Sequence, residues 1–224
     1  EHYNLNLNSS KFFAGHSLGE YTALVCAGSL TIEKAAYLLH ERGKAMQEAV
    51  PAGQGSMIAV LGMSIDEVEK EISLLPKNAI CEIANDNSNG QVVVSGAKTI
   101  IAIFNENLKK KRKKGIILPV SAPFHCTLMK SAAENMKNKL LDTNFSKPNP
   151  MIISNVTAKK ADDTNNLKSL LIEQITSRVR WRESVDYMLE NGVNDFIEIG
   201  PGKVLSGLVK KINRNVSISN INSI

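Results

Sequence analysis

The motif Gly-x-Ser-x-Gly at residues 15–19 constrains the fold of this chain more than any other feature. A short apolar run at residues 11–14 precedes the motif, and apolar residues at helical spacing follow it. A strand, a sharp turn and a helix in this order form a nucleophile elbow. We predict that glycines flank Ser17 because the turn has no room for bulk. The helix N-terminus beside the serine offers free N–H groups to a developing oxyanion.

The composition indicates a globular protein of a reducing compartment. With 224 residues, of which 43% are hydrophobic, the chain can form one large domain or two small ones. No apolar run is long enough to span a bilayer, so we expect no membrane association. The three cysteines, Cys26, Cys81 and Cys126, lack the spacing of metal ligands, and their odd number favours the cytoplasm. We therefore predict no metal site.

A second helix, predicted over residues 32–49, carries an arginine on its apolar face. Arg42 could extend to solvent or pair with a structural acid such as Glu41 or Glu48. Alternatively, its planar guanidinium could bind an anion bidentately at the base of a pocket. Met46 shares this face and is a candidate substrate-binding residue.

Residues 54–120 predict a separate unit. Its elements follow the order β-α-β-β-α-β, with strands at 56–61, 79–84, 91–95 and 116–120, and helices at 64–75 and 98–113. This is the ferredoxin-like pattern. We predict an α/β protein in which this subdomain is inserted into an α/β-hydrolase-like, parallel-sheet core formed by residues 1–53 and 121–224. A hairpin turn is predicted at 86–90, where Asn85 and Asn87 could face a cleft or serve as ordinary turn residues.

A serine nucleophile needs a base, and four histidines are available. His125 lies in a proline-containing connection before a predicted helix at 127–141, a setting that is often functional. A lone histidine is otherwise more often structural. The others are placed less well: His2 is in a polar lead-in, His16 adjoins the nucleophile and His40 shares the helix of Arg42.

In the C-terminal third, the apolar pattern predicts strands at 151–154 and 194–199 and helices at 167–177 and 182–191. The Gly-Pro-Gly-Lys turn at 200–203 could bind phosphate, but a structural turn is favoured. We expect residues 213–224 to be frayed.

The whole heptad at residues 15–21, Gly-His-Ser-Leu-Gly-Glu-Tyr, resembles the acyltransferase family of fatty-acid and polyketide synthesis. Further landmarks follow in the family's order: Ala-Val-Pro at 49–51, Asn-Gly-Gln-Val-Val at 89–93, Pro-Phe-His at 123–125, Val-Arg-Trp at 179–181 and Glu-Ile-Gly-Pro-Gly-Lys-Val-Leu at 198–205. Family members carry a further N-terminal segment with a Gly-Gln-Gly-x-Gln loop, which supplies a second oxyanion donor. This sequence has no such motif, so we expect a fragment of a longer protein.

The resemblance implies a role for each site residue. Ser17 would be the nucleophile, His125 the general base and the Leu18 N–H an oxyanion donor. A carbonyl of Gln174 would orient the histidine, although Gln174 could also be a plain polar residue of a helix. Arg42 would bind the free carboxylate of a malonyl group.

The substrates follow from the same resemblance. The family transfers malonyl groups from malonyl-CoA to the phosphopantetheine thiol of acyl carrier protein, through a malonyl-serine intermediate and without a cofactor. Phe124 would narrow the pocket beside the acyl group, and His16, Met46 and Asn85 are further candidates for substrate binding. We expect a monomer with no nucleic-acid partner.

Two other classes of function remain open. One is a serine hydrolase, such as a thioesterase or a patatin-like lipase, that shares the elbow. The other is a non-catalytic protein that binds the carrier protein. The basic run at residues 109–114 fits a solvated helix end, a docking patch for an acidic carrier protein or, without interleaved aromatics, a weak nucleic-acid signal.

Overall fold

A computed structural model describes residues 6–222 of the chain. Residues 1–5, which include His2, and residues 223–224 lie outside the described part. The helices are α1 (Gly19–Cys26), α2 (Ile32–Glu48), α3 (Ile65–Ser73), α4 (Lys98–Lys110), α5 (Lys130–Asp142), α6 (Thr164–Gln174), α7 (Trp181–Glu190) and α8 (Val204–Ile212). The strands are β1 (Phe12–Ala14), β2 (Gly55–Leu61), β3 (Cys81–Ser88), β4 (Gln91–Ala97), β5 (Lys114–Ile117), β6 (Met151–Ile153), β7 (Lys160–Ala161), β8 (Asp195–Ile199) and β9 (Ser217–Ile221).

The core has helices on both sides of short parallel strands. Alternate side chains of a strand point to opposite faces, and β1 and β6 show this clearly. Phe13 and Ile152 pack among α1, α2, α5 and α6, whereas Phe12 and Ile153 pack among α7 and α8. The chain is therefore an α/β protein, as predicted. Within residues 6–222 the parallel pairs lie in two sheets: β1 pairs with β6, and β8 pairs with β9.

The second unit is a four-stranded antiparallel sheet in the order β3-β4-β2-β5. This order, with α3 and α4 as the two crossovers, is that of a ferredoxin-like sheet. Buried apolar residues from the sheet and both helices form its own core, including Ile58, Val94 and Phe104. The Ser64–Glu67 capping box begins α3 as predicted. The domain boundaries at 54 and 120 stay a prediction.

Two predicted features of the backbone are wrong. Of the turn predicted at residues 86–90, residues 86–88 instead belong to β3, which has two bulges between Ile83 and Ser88. The Asp86 carboxylate pairs with Arg182 and the Asn87 side chain with His16, and these contacts with other elements allow the polar stretch to continue the strand. The predicted frayed tail instead forms β9 over residues 217–221, because five residues pair in parallel with β8 and Ile218 packs into the core.

Strand β3 also attaches the second unit to the core. The Asp86 N–H donates to the Val179 carbonyl at 3.0 Å, and the Val179 N–H donates to the Ala84 carbonyl at 2.8 Å. The Asp86 carboxylate, which is 1% exposed, pairs with the Arg182 guanidinium on α7 at 2.8 Å. Main-chain and charged contacts thus fix this edge of the sheet beside the elbow.

No helix within residues 6–222 combines the length and the apolar character needed to cross a membrane.

The Asp86–Arg182 pair gives the first prediction. We expect Arg182→Met to lower the free energy of unfolding by about 3 kcal/mol, because it leaves the Asp86 carboxylate buried without its partner. The control is Lys109→Met, which breaks an ion pair whose side chains are both 60% exposed and should change the free energy by less than about 0.5 kcal/mol. Urea unfolding of both variants measures the difference, and equal effects would contradict the proposed anchoring.

Candidate active site

The elbow depends on one glycine more than on the other. Ser17 has a φ of 53°, a left-handed conformation that is strained for a residue with a side chain. A Cβ atom on Gly15 would lie 2.0 Å from the Gly19 carbonyl oxygen, so Gly15 is sterically required. A Cβ on Gly19 would meet no described atom within 4 Å. The prediction that bulk is excluded on both sides of Ser17 is therefore right for Gly15 and wrong for Gly19.

Asn155, in the loop after β6, holds the elbow from both sides of Ser17. Its Oδ1 accepts a hydrogen bond from the Ser17 N–H at 2.7 Å, and its Nδ2 donates to the Gly15 carbonyl at 2.7 Å. The Ser17 N–H is thereby occupied. The Leu18 N–H has no acceptor among the residues that the structure describes, and the Leu18 side chain is exposed. This leaves the Leu18 N–H available to a developing oxyanion.

Ser17 and His125 form a hydrogen-bonded dyad. The Ser17 Oγ lies 2.8 Å from His125 Nε2, and His125 Nδ1 lies 2.8 Å from the main-chain oxygen of Gln174. Because a carbonyl oxygen only accepts, Nδ1 carries the proton, and Nε2 accepts from the serine hydroxyl. The imidazole is thus in the tautomer that a general base requires.

Burial keeps this imidazole neutral. His125 is buried, and desolvation, aided by the nearby Arg42 charge, lowers its pKa to about 3. The base is therefore free of its proton throughout the neutral range and can accept one from Ser17.

Arg42 reaches the same oxygen from α2. Its Nη2 donates to Ser17 Oγ at 3.0 Å and to the side-chain Oε1 of Gln174 at 3.0 Å. The side chain is 7% exposed, and its Nε has no partner among the described residues. Glu41, offered from the sequence as a structural partner, instead pairs with Lys139 at 2.9 Å. Arg42 therefore lies in the site, and its buried guanidinium can receive an anion there.

Sequence reasoning missed the carboxyl group beneath the site. Glu20, in the first turn of α1, is 1% exposed, and its Oε2 accepts from Gln174 Nε2 at 2.7 Å and from the Asn155 N–H at 3.2 Å. Burial raises the pKa of Glu20 to about 7 against the opposing effects of these hydrogen bonds and of Arg42. Glu20 belongs to the heptad that carried the resemblance, which was the available signal. Asn155 lies outside every motif.

His16 faces the second unit rather than the dyad. Its Nε2 is 2.8 Å from the Asn87 Oδ1, and its ring centroid is 5.7 Å from that of Trp181. Of the two asparagines proposed to face the cleft, Asn87 makes this contact, whereas Asn85 is joined to Val179 by a main-chain bridge. The predicted substrate contacts of His16 and Asn85 stay predictions.

The two apolar candidates differ in position. Phe124 is partly buried. It packs against the main core and against a small cluster in the second unit that is formed by Met57, Ala84 and Val93. Met46 is buried within the main core. Their roles in substrate binding stay predictions.

Comparison with known families shows the family to which the chain belongs. The family model for the acyl transferase domain matches residues 9–223. The chain belongs to this family. Within residues 6–222, the chain has no group of three or more His, Cys, Asp or Glu side chains that could hold a metal ion.

The chain is similar to several named proteins. It is 45% identical over 207 residues to the malonyl CoA-acyl carrier protein transacylase of Bacillus subtilis, covering 92% of this chain and 65% of that protein. An acyl-carrier-protein S-malonyltransferase structure from Bartonella henselae aligns with a TM-score of 0.95 and 43% identity, covering 99% of this chain and 71% of the other. A malonyl-transacylase in complex with its type II PKS acyl-carrier protein aligns at 0.93 and 37% identity, covering 96% and 70%. The chain thus spans about two thirds of the length of these relatives.

The steric requirement at the elbow can be tested with its two glycines. We expect Gly15→Ala to lower the free energy of unfolding by more than about 3 kcal/mol, because the new methyl group collides with the main chain. Gly19→Ala should change it by less than about 1 kcal/mol, since the space is open. Chemical denaturation of both variants is the measurement, and a tolerated Gly15→Ala would contradict the close approach.

The buried carboxyl group predicts a pH dependence of stability. Because the folded pKa of Glu20 lies above its ordinary 4.5, its contribution is complete below pH 4.5 and is lost as the pH rises to about 7. Relative to Glu20→Gln, the chain should lose about 3 kcal/mol of unfolding free energy across that interval. Unfolding measured at several pH values tests this expectation, and a constant difference between the two proteins would refute it.

Proposed function

We propose that this chain transfers the malonyl group of malonyl-CoA to the phosphopantetheine thiol of acyl carrier protein through a malonyl-Ser17 intermediate. One observation carries the proposal: Ser17 Oγ lies 2.8 Å from the base nitrogen of His125 and 3.0 Å from the guanidinium of Arg42. A base and a carboxylate receptor thus converge on one nucleophilic oxygen. The names of the relatives support this substrate class.

The first half-reaction acylates the serine. His125 Nε2 accepts the Ser17 proton while Oγ attacks the thioester carbonyl, and the Leu18 N–H donates to the oxyanion. When the tetrahedral intermediate collapses, the carbon–sulfur bond breaks, and the imidazolium returns the proton to the leaving CoA thiolate. The neutral state of His125 before the reaction makes this proton transfer possible at neutral pH.

The second half-reaction is the reverse with a different thiol. The phosphopantetheine thiol of the carrier protein gives its proton to His125 and attacks the malonyl-serine ester. Collapse returns the proton to Ser17 Oγ and releases the malonyl thioester. The two thiols therefore use one site in turn, as in ping-pong catalysis.

Arg42 selects the acyl group. The malonyl carboxylate is separated from the reacting carbonyl by a single methylene, so its receptor must lie close to Ser17 Oγ, as Arg42 does. A bidentate pair would also hold the ester so that water is poorly aimed at it. A lipase acting on uncharged esters has no use for this buried cation, which favours the transferase.

The partners are proposed on similar grounds. Each proposed chemical step is carried by groups of the protein and by the two thiols, so we propose that the reaction requires no cofactor and takes place in the cytoplasm. A relative has been solved with its acyl-carrier protein.

In the basic run at residues 109–114, three lysines form ion pairs: Lys109 with Glu106, Lys111 with Glu71 and Lys113 with Glu67. Half of its cations are thus compensated, which favours a solvated helix end over a docking patch. We propose a monomer with no nucleic-acid or membrane partner.

The intact mass of the chain after incubation with malonyl-CoA tests the proposal. We expect a gain of one malonyl group that is absent in Ser17→Ala. Arg42→Met should slow malonylation about 100-fold, because the carboxylate then lacks its buried partner, while acylation by acetyl-CoA should change much less.

Other outcomes separate the alternatives. Release of free malonate without carrier protein would identify a hydrolase. Binding of carrier protein by a folded chain that never acquires the malonyl group would identify a non-catalytic binder. Equal slowing of malonyl and acetyl transfer in Arg42→Met would remove the carboxylate-receptor role.

A further inference from the structure

Glu20 is placed where a carboxyl group is costly. It is 1% exposed, and its Oε1 has no hydrogen-bond partner among the described residues. Burial of a carboxylate with one oxygen unsatisfied disfavours the folded state. An apolar residue at this position would avoid this cost. A role for the carboxyl group must therefore come from its other oxygen, Oε2, which does make hydrogen bonds.

Those contacts lead to Gln174. The Gln174 Nε2 has three acceptors: Glu20 Oε2 at 2.7 Å, the Ser17 carbonyl at 3.1 Å and Asn155 Oδ1 at 3.4 Å. The contact with Glu20 is the shortest, and it is charge-assisted when the carboxyl group is ionised. Glu20 is therefore the principal acceptor for this side-chain amide.

The oxygen of the Gln174 side-chain amide faces Arg42. Gln174 Oε1 accepts from Arg42 Nη2, which also donates to Ser17 Oγ. Rotating the amide by half a turn would place its NH₂ against the guanidinium, donor against donor, and its oxygen against the Glu20 oxygen. The bond to Glu20 opposes this rotation. A continuous series of contacts thus runs from Glu20 through Gln174 to Arg42 and the nucleophile.

We propose that Glu20 is a positioning residue for malonyl transfer, which holds the Gln174 side chain so that its Oε1 fixes the guanidinium of Arg42 beside Ser17. This inference rests on the proposed function, because it assigns to Glu20 the placement of the carboxylate receptor. It concerns the acyl group's carboxylate and leaves the Ser17–His125 dyad itself unchanged, since His125 is held by the main-chain oxygen of Gln174.

The experiment compares two reagents that both modify Ser17. Malonyl-CoA requires Arg42, whereas an uncharged fluorophosphonate requires only the dyad. Glu20→Met conserves length and removes the acceptor, and Glu20→Gln retains an acceptor oxygen. We expect Glu20→Met to slow malonylation at least tenfold, mainly as a higher malonyl-CoA concentration for half-maximal rate. The rate of phosphonylation of Glu20→Met should stay within about threefold of that of the unaltered chain. The malonylation rate of Glu20→Gln should likewise lie within about threefold of the unaltered chain's rate.

Asp86→Asn is the matched control, because it neutralises another carboxyl group that is 1% exposed but is bound to Arg182 rather than to Gln174. It should leave both rates of the folded protein unchanged. If Glu20→Met fails to fold, Glu20→Asp, which is one methylene shorter and withdraws the acceptor, carries the same expectation.

The possible results are distinct. Selective loss of malonylation with recovery in Glu20→Gln supports the proposal. Parallel slowing of both reagents, no slowing at all, or a Glu20→Gln variant as slow as Glu20→Met overturns it. If the unaltered chain is phosphonylated but never malonylated, the proposed function fails and this inference with it. Malonylation that is indifferent to Glu20 overturns this inference alone.

Discussion

A buried guanidinium beside a neutral imidazole is the constraint on which the site depends. Arg42 and His125 both lie within hydrogen-bond distance of Ser17 Oγ, and a protonated His125 would place two cations on one oxygen. Desolvation together with the Arg42 charge disfavours that state, so the imidazole stays neutral. The main-chain oxygen of Gln174 then selects the tautomer. The protonation state of His125 is thus set by its surroundings, and the ring is oriented by a main-chain oxygen rather than by a carboxylate.

The same site joins distant parts of the chain. Ser17 follows β1, Arg42 lies on α2, His125 precedes α5, and Asn155 and Gln174 come from the C-terminal half. The second unit is attached nearby through β3, where Asp86 meets Arg182 and Asn87 meets His16. The core and the second unit therefore meet beside the elbow, through contacts that do not include Ser17, His125 or Arg42.

Much of this arrangement could be predicted from the sequence, and the remainder could not for identifiable reasons. The elbow, the α2 arginine and the ferredoxin-like order follow from spacing and periodicity, which are local properties. Residues 86–88, which the sequence predicts as part of a turn, form a strand because Asp86 and Asn87 have partners elsewhere in the fold, Arg182 and His16. Strand β9 was missed because its stability comes from pairing with β8.

The contacts of Glu20 and Asn155 illustrate the same limit within the site. Glu20 is part of the heptad, but a glutamate in the first turn of a helix is ordinarily explained by its favourable interaction with the helix dipole. Only the fold shows that its side chain turns inward to Gln174. Asn155 is 138 residues from Ser17 in the chain, and no spacing rule connects the two.

In the proposed reaction, the hydrogen bond from Arg42 to Ser17 Oγ would influence which thioesters react. The guanidinium donates to the same oxygen that is proposed to attack. An acyl chain that ends in a carboxylate would offer Arg42 a better acceptor and would free the serine lone pair as it binds. A chain that ends in a methyl group would have to break that bond without replacing it. Under the proposed function, selection between acyl groups would therefore take place at the nucleophile as well as at the walls of the pocket.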